Sequence, residues 1–254
     1  MVLKNKNAKK ENEVKELPKT FVVIDFETTG VDPKKDRIVE VGAVRFTEGE
    51  PVALFNCMVK QDLELYPLSA EMQKITGHTP EDIAKGLDEE LAMLMLFDFI
   101  GGDALIVGQN ILFDWEFLTE AMCRHWDYIA GANAAGANAA GANAAAMGFD
   151  ECQYNLLDTL TIGRERKPYP HRLPNLCKYY GVEQSSWHSA YYDAVATGEL
   201  ALAMHAEDKY YAPGKQVADY INVIGFKRQY GEPTWVPSWV TLKPQGNVTI
   251  KEGK

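Results

Sequence analysis

One short segment, Phe21-Val-Val-Ile-Asp-Phe-Glu27, constrains this chain more than any other. An apolar, β-branched run of this kind predicts a strand buried on both faces. A strand like that needs a sheet around it and cover on both sides. It also ends awkwardly for a core. Asp25 and Glu27 lie two residues apart, and the side-chain period of a strand is two, so both carboxylates emerge on one face. Two anions at a buried strand end repel each other unless something neutralises them. A divalent ion does so, and hard oxygen ligands suit Mg²⁺ or Mn²⁺. Taken alone, an Asp-x-Glu pair in a strand has little specificity.

The segments that follow supply the rest of the fold. Arg37–Phe46 and Pro51–Lys60 read as strands, with Thr47–Glu50 suited to a hairpin turn between them. Ser69–Leu96 favours helices punctuated by Gly77 and Gly86, Ala104–Val107 is a short apolar strand, and Phe113–Tyr128 is helical by pattern. Tyr154–Leu157 suggests a further strand, with Asp158 as N-cap of the next helix, and Leu173–Tyr180 and Ser189–His205 are helical. Hairpin-linked strands followed by alternating helices and strands imply an α/β fold with a mixed sheet and helices packed on it.

Three stretches stand apart. Residues 1–20 form a polar, basic arm expected to be flexible. Residues 131–145 are three copies of Gly-Ala-Asn-Ala-Ala, a period that fits neither helix nor strand, and read as a solvated loop inserted in the main domain of residues 21–206. Residues 207–254 form a C-terminal extension rich in proline and aromatics. In it Trp239–Lys243 and Val248–Ile250 are expected to pair as a hairpin across Pro244–Asn247. The extension either packs back onto the core or docks on a partner or nucleic acid.

The net charge of −10 argues against binding nucleic acid through bulk electrostatics. The charge is unevenly spread: +3 over residues 1–20, +2 over 207–254 and −15 between them. Such an acidic centre is either a solvated surface or a set of carboxylates converging on cations. No uncharged apolar run reaches the ~18 residues of a membrane span, and the N-terminus lacks the apolar stretch of a secretory signal. Cys57, Cys123, Cys152 and Cys177 match no zinc or redox spacing and read as reduced thiols of a cytoplasmic protein.

Two further segments carry candidate chemistry. In Gly108-Gln-Asn110-Ile-Leu-Phe113-Asp114 a strand gives way to a helix, and ligands of α/β folds gather at the carboxyl ends of strands. Asp114 alone is equally a carboxylate favouring a helix dipole. In His188-Ser-Ala-Tyr-Tyr-Asp193 the spacing of five leaves the two side chains about 140° apart on an ideal helix. They converge only if His188 lies in the loop or first turn before it.

FVVIDFETTG, NILFDWEFL and HSAYYDAVAT together resemble the three motifs of the DEDD exonuclease family, histidine subclass, and most nearly the DnaQ-like proofreading exonucleases of bacterial DNA polymerase III. The resemblance runs from Phe21 to about Ala206 and takes in RIVEVGAVRF, ITGHTPEDI, LLDTL and HRLPNLCKYYGVE. It implies a ribonuclease H-like, five-stranded mixed sheet flanked by helices. It assigns Asp25, Glu27, Asp114 and Asp193 to metal and His188 to general base. The histidine subclass is indicated because the position four before Asp193 is Ser189, whereas that five before is His188. Two departures stand out. Gln109 sits where relatives often have His, and Thr76 where the proofreading subunit has a His near the nucleotide, with Glu71 at the matching acidic position.

The activity implied is removal of nucleoside 5′-monophosphates from a 3′ end, with two Mg²⁺ ions, or Mn²⁺ in their place. Single-stranded or mismatched DNA is the expected substrate, since bases entering a metal cleft need stacking partners. Thr28, Thr29 and Asn110 are expected to contact the terminal nucleotide. Phe113 either stacks on a base or belongs to the core. A polymerase or DNA-processing complex is the expected partner of the extension. Two alternatives remain: an exonuclease that trims RNA ends, and an inactive docking subunit, against which the presence of every motif residue argues.

Overall fold

The computed structural model describes residues 14–102, 104–136, 154–183, 189–211, 214–226, 238–242 and 248–251, with the backbone alone for 126–136, 225–226 and the last two segments. The basic arm up to residue 13, most of the repeat and His188 lie outside the described residues.

The central strand β1 (Thr20–Thr28) pairs antiparallel with β2 (Ile38–Thr47), which pairs antiparallel with β3 (Glu50–Lys60). On its other side β1 runs parallel to β5 (Leu105–Gly108), and β5 parallel to β6 (Asn155–Asp158). A two-residue strand, β4 (Leu87–Asp88), adds to β3, so the sheet has six strands in the order β4-β3-β2-β1-β5-β6. It is the five-stranded mixed sheet expected from sequence plus this short edge addition, too brief to leave a periodic pattern.

Both faces of β1 are covered. Val22, Ile24 and Phe26 enter one core with α3 (Glu89–Ile100) and α4 (Ile111–Gly136), whose contributions include Met93, Leu96, Phe97, Trp115 and Leu118. Phe21 and Val23 enter the second core with α5 (Thr159–Arg166), α6 (Leu173–Tyr180) and α7 (Ala190–Ala206). Helix α7 lies close over β2 because small residues line its inner stripe at Ala190, Ala194, Thr197 and Ala201. Two glycines set that approach. A Cβ on Gly42 would fall 2.2 Å from the Ala190 carbonyl carbon, and one on Gly198 would fall 2.2 Å from the Phe46 ring.

Two short helices, α1 (Ala70–Thr76) and α2 (Pro80–Ala84), follow β3. Ser69 caps α1, Gly77 ends it in the left-handed conformation at φ 73°, and Thr79 with Asp82 forms a capping box on α2. Helix α4 corrects the sequence reading. It continues to Gly136, so residues 131–136, the first repeat copy included, are helical and not a loop. Alanine is the strongest helix former, and a long helix already propagating needs no new nucleus to extend through it.

Beyond α7, the turn α8 (Asp208–Tyr211) and residues 214–224 pack on the core, with Val217 and Tyr220 buried. Buried Asp208 accepts the Val217 N–H and an Arg166 N–H at 2.6 Å. Asn222 covers the free edge of β6: its N–H donates to Leu156 O and its side-chain oxygen accepts the Leu156 N–H. Strands β7 (Val223–Phe226), β8 (Ser238–Leu242) and β9 (Val248–Lys251) form a separate antiparallel sheet, with Trp239 opposite Lys251 and Leu242 opposite Val248. Among the described residues no helix is long and apolar enough to cross a membrane.

Candidate active site

Alternation along β1 fixes the direction of the first two carboxylates. Since Phe21 and Val23 face α7, so do Asp25 and Glu27. Asp193 stands in the first turn of α7, above the same end of the sheet. One carboxylate oxygen from each of Asp25, Glu27 and Asp193 lies within 4.8 Å of the others, and all three residues are partly exposed.

Asp114 is outside that tight group, though close enough that its charge acts on Asp25. Parallel pairing of β1 with β5 involves Val22 and Val23, and further along Asp114 takes over as acceptor. Its Oδ1 accepts the Phe26 N–H at 2.9 Å, between the two β1 carboxylates, and the residue is almost wholly buried. The start of α4 that carries it is held by Asp158. One Asp158 oxygen accepts the N–H groups of Asn110 and Ile111, and the two together cap α5 at Leu160 and Thr161. The sequence suggested Asp158 only as the cap of its own helix. Its second role joins the ends of two helices distant in sequence, which local pattern does not reveal.

Burial and mutual repulsion dominate the electrostatics. Desolvation, then the charges of Asp114, Asp193, Glu27 and Glu40, push the Asp25 carboxyl well above the ordinary range. Desolvation, with Glu40 and Asp193, raises Glu27 to about 7, against a smaller lowering by His78. Burial raises Asp114 as well, opposed by the Phe26 N–H. These groups hold protons more tightly than free carboxyls because too much negative charge meets in one desolvated place. A divalent cation relieves that strain. The clustered oxygens of Asp25, Glu27 and Asp193 fit a hard, oxygen-preferring ion, with Asp114 set beside them.

The remaining sequence candidates fare unevenly. Thr28 and Thr29 are buried, and both hydroxyls act within the loop after β1. Thr28 Oγ1 donates to Gly30 O, and Thr29 Oγ1 accepts the Arg37 N–H at 3.0 Å. Thr76 is buried in the last turn of α1, where its hydroxyl donates to Met72 O, while Glu71 is exposed in the first turn. Asn110 is exposed, at φ 67°. Phe113 is half-buried and packs on Phe117 with ring centroids 4.9 Å apart. Gln109 is fixed at both ends of its amide, to His171 O and to the Thr159 hydroxyl.

Two residues that the sequence reading passed over stand next to the cluster. Glu40, only 3% exposed, sits opposite Glu27 in the β1–β2 register. His78 Nε2 lies 2.7 Å from its Oε2, and that hydrogen bond holds the imidazole pKa above its usual value. The available signal was a charged residue at an inward position of an otherwise apolar strand. Gly42, two residues on, is the other: in Gly42→Ala the new methyl meets backbone that cannot turn aside. We expect a loss of about 1–3 kcal/mol in urea denaturation, and turnover about a hundredfold lower because the start of α7 carries Asp193.

Comparison with known proteins agrees with this geometry. The RNase_T family model, described as Exonuclease, matches residues 22–201. The PolC-type DNA polymerase III of Halalkalibacterium halodurans is 33% identical over 190 residues, covering 74% of this chain and 11% of that protein. That of Bacillus subtilis is 30% identical over 187 residues, 73% of this chain and 11% of its own length. The chain therefore spans about a tenth of the length of the curated relatives it matches. Among solved structures, E. coli Exonuclease I in complex with a dT13 oligonucleotide superposes with a TM-score of 0.59 at 22% identity, over 76% of this chain and 43% of that one. The zinc-bound Exonuclease I–ssDNA complex gives 0.58 at 24%, over 80% and 43%. These structural likenesses speak for the fold. With the family model covering most of the main domain and the Asp25, Glu27 and Asp193 carboxylates gathered at one end of the sheet, the chain belongs to the RNase_T exonuclease family and carries a DEDD-type 3′–5′ exonuclease domain.

Proposed function

We propose that the protein removes nucleoside 5′-monophosphates from the 3′ ends of single-stranded or mismatched DNA in the cytoplasm. The observation that carries this reading is the meeting of Asp25, Glu27 and Asp193 oxygens within 4.8 Å at one end of the sheet. These residues and Asp114 would hold a pair of Mg²⁺ ions, or Mn²⁺ in their place. Bound there, the ions would supply Lewis acidity toward the scissile phosphate and lower the pKa of the attacking water.

The chain's own groups do the rest. His188 serves as general base, placing the protein in the histidine subclass. It directly precedes Ser189, the residue before α7, and an imidazole with a pKa near ~6.5 takes a proton well at neutral pH. Asn110 and half-buried Phe113 stand beside Asp114 at the start of α4, where a terminal nucleotide would lie. Thr28 and Thr29 shape the adjoining loop, and Glu71 and Thr76 on α1 border the site in the same reading. Two relatives support a DNA substrate: the PolC-type polymerases by name, and Exonuclease I by its oligonucleotide complexes. The C-terminal extension is proposed to dock on a polymerase or DNA-processing complex.

The test is release of label from 3′-labelled single-stranded DNA, mismatched duplex and matched RNA, each with Mg²⁺. Faster cleavage of the DNA substrates is expected, and a preference for RNA would replace this reading by RNA end-trimming. For His188→Ala the expected loss in kcat is about 10²–10⁴-fold, the range of a general base. Unchanged turnover would remove His188 from the mechanism.

A further inference from the structure

We infer that His78 is a positioning residue of this active site: by holding Glu40 it fixes the start of α7 and so places Asp193. The inference rests on the exonuclease reading above.

The chain of contacts is continuous. Glu40 Oε1 accepts the Ser189 hydroxyl at 3.2 Å, and Oε2 accepts the Ala190 N–H at 3.3 Å. His78 Nε2 donates to that same Oε2 at 2.7 Å, from the loop between α1 and α2. Ser189, held in this way, accepts through its carbonyl oxygen the N–H of Asp193 at 3.0 Å. Asp193 is thus three hydrogen bonds from the imidazole. Glu40 serves as a carboxylate cap for α7, satisfying the Ala190 N–H, one of the donors that the first turn of a helix leaves unpaired. Ser189, formally the N-cap, makes no side-chain cap bond of its own.

That cap has an electrostatic drawback, because Glu40 also faces Glu27 across the strand pair and raises its pKa. A buried carboxylate gains from every donor aimed at it, and His78 adds one from outside α7. Its loop is built to deliver the ring. Gly77 ends α1 in the left-handed conformation, the Thr76 hydroxyl oxygen accepts the His78 N–H at 3.2 Å, and Thr79 begins α2. Both partners are largely desolvated, with side-chain exposures of 16% and 4%. Thr76 thereby has a definite use here, in shaping the turn that aims His78.

Partners of this kind, one step removed from the ligands, typically matter by about 10–100-fold in metal affinity or activity. The test compares wild type with His78→Leu, which keeps bulk without a donor, and His78→Gln, whose amide still donates. Mn²⁺ binding to each protein without substrate is followed by electron paramagnetic resonance, and kcat and KM are measured on single-stranded DNA. We expect His78→Leu to weaken Mn²⁺ binding about tenfold or more and to lower kcat, with KM nearly unchanged. His78→Gln should recover most of both. Mn²⁺ affinity in the leucine variant within about twofold of wild type overturns the inference, as does a glutamine variant no better than leucine. If wild type itself binds Mn²⁺ no better than Asp25→Ala, the exonuclease reading falls and this inference with it. The wild-type measurement therefore separates the two failures.

Discussion

Asp25→Ala and Asp193→Asn will each abolish 3′ nucleotide release while leaving the protein folded. The two side chains reach the site from different elements, a central strand and the first turn of α7, yet their oxygens lie in one group with Glu27. If each binds metal, removing either takes away several kcal/mol of transition-state stabilisation. At 1.36 kcal/mol per factor of ten, the fall in rate is at least about a thousandfold. Stability moves the other way. Asp25 is desolvated and repelled by Asp114, Asp193, Glu27 and Glu40, so its removal relieves strain in the metal-free protein. Circular dichroism should show a melting temperature without metal equal to or above that of wild type, and addition of Mg²⁺ should raise it less. Near-wild-type turnover in either variant would show that these carboxylates are not the ligands.

Removing metal will stop the reaction, and it will also expose an unusual pH dependence of stability. EDTA is expected to end cleavage, and Mg²⁺ or Mn²⁺ to restore it; cleavage that continues in EDTA rules out metal catalysis. The stability effect follows from Glu27, whose pKa is raised from 4.5 to about 7 by burial and by Glu40 and Asp193. A carboxyl with a higher pKa folded than unfolded binds its proton more tightly in the native state. Its contribution is fully present below the unfolded value and is lost as pH rises through the folded one. Metal-free protein should therefore lose up to about 3 kcal/mol between pH 4.5 and 7 from this group alone. Asp25 and Asp114, raised in the same direction, add to the slope. A bound dication favours the ionised carboxylates, so saturating Mg²⁺ should flatten the curve. Urea denaturation at pH 5, 6, 7 and 8, with and without Mg²⁺, checks this. A metal-free stability that rises over that window contradicts the electrostatic account of the cluster.

The repeat shows where local pattern misleads. Gly-Ala-Asn-Ala-Ala has no amphipathic period, yet its first copy is helical because it extends α4, and extension needs no new nucleus. Asp114 shows the converse. Its motif marked it as a ligand beside a helix-dipole reading, and the structure adds that it supplies the acceptor for the Phe26 N–H on β1. That contact spans 88 residues of chain, beyond the reach of any periodicity.

Sequence by itself determined the main strands and helices of the sheet-bearing domain. Phe21–Glu27 had to be a doubly covered strand because an apolar, β-branched run cannot face water on either side, and the two-residue period put Asp25 and Glu27 on one face. Only the tertiary structure decided how the distant motif residues are brought to one end of the sheet. Asp193 arrives because glycine at position 42 lets α7 sit close on β2 and Glu40 grips its first turn. Asp114 arrives because Asp158, from another strand, holds the start of α4. Close approach and long-range hydrogen bonding depend on how layers pack, and packing is a property of the whole chain rather than of any window along it.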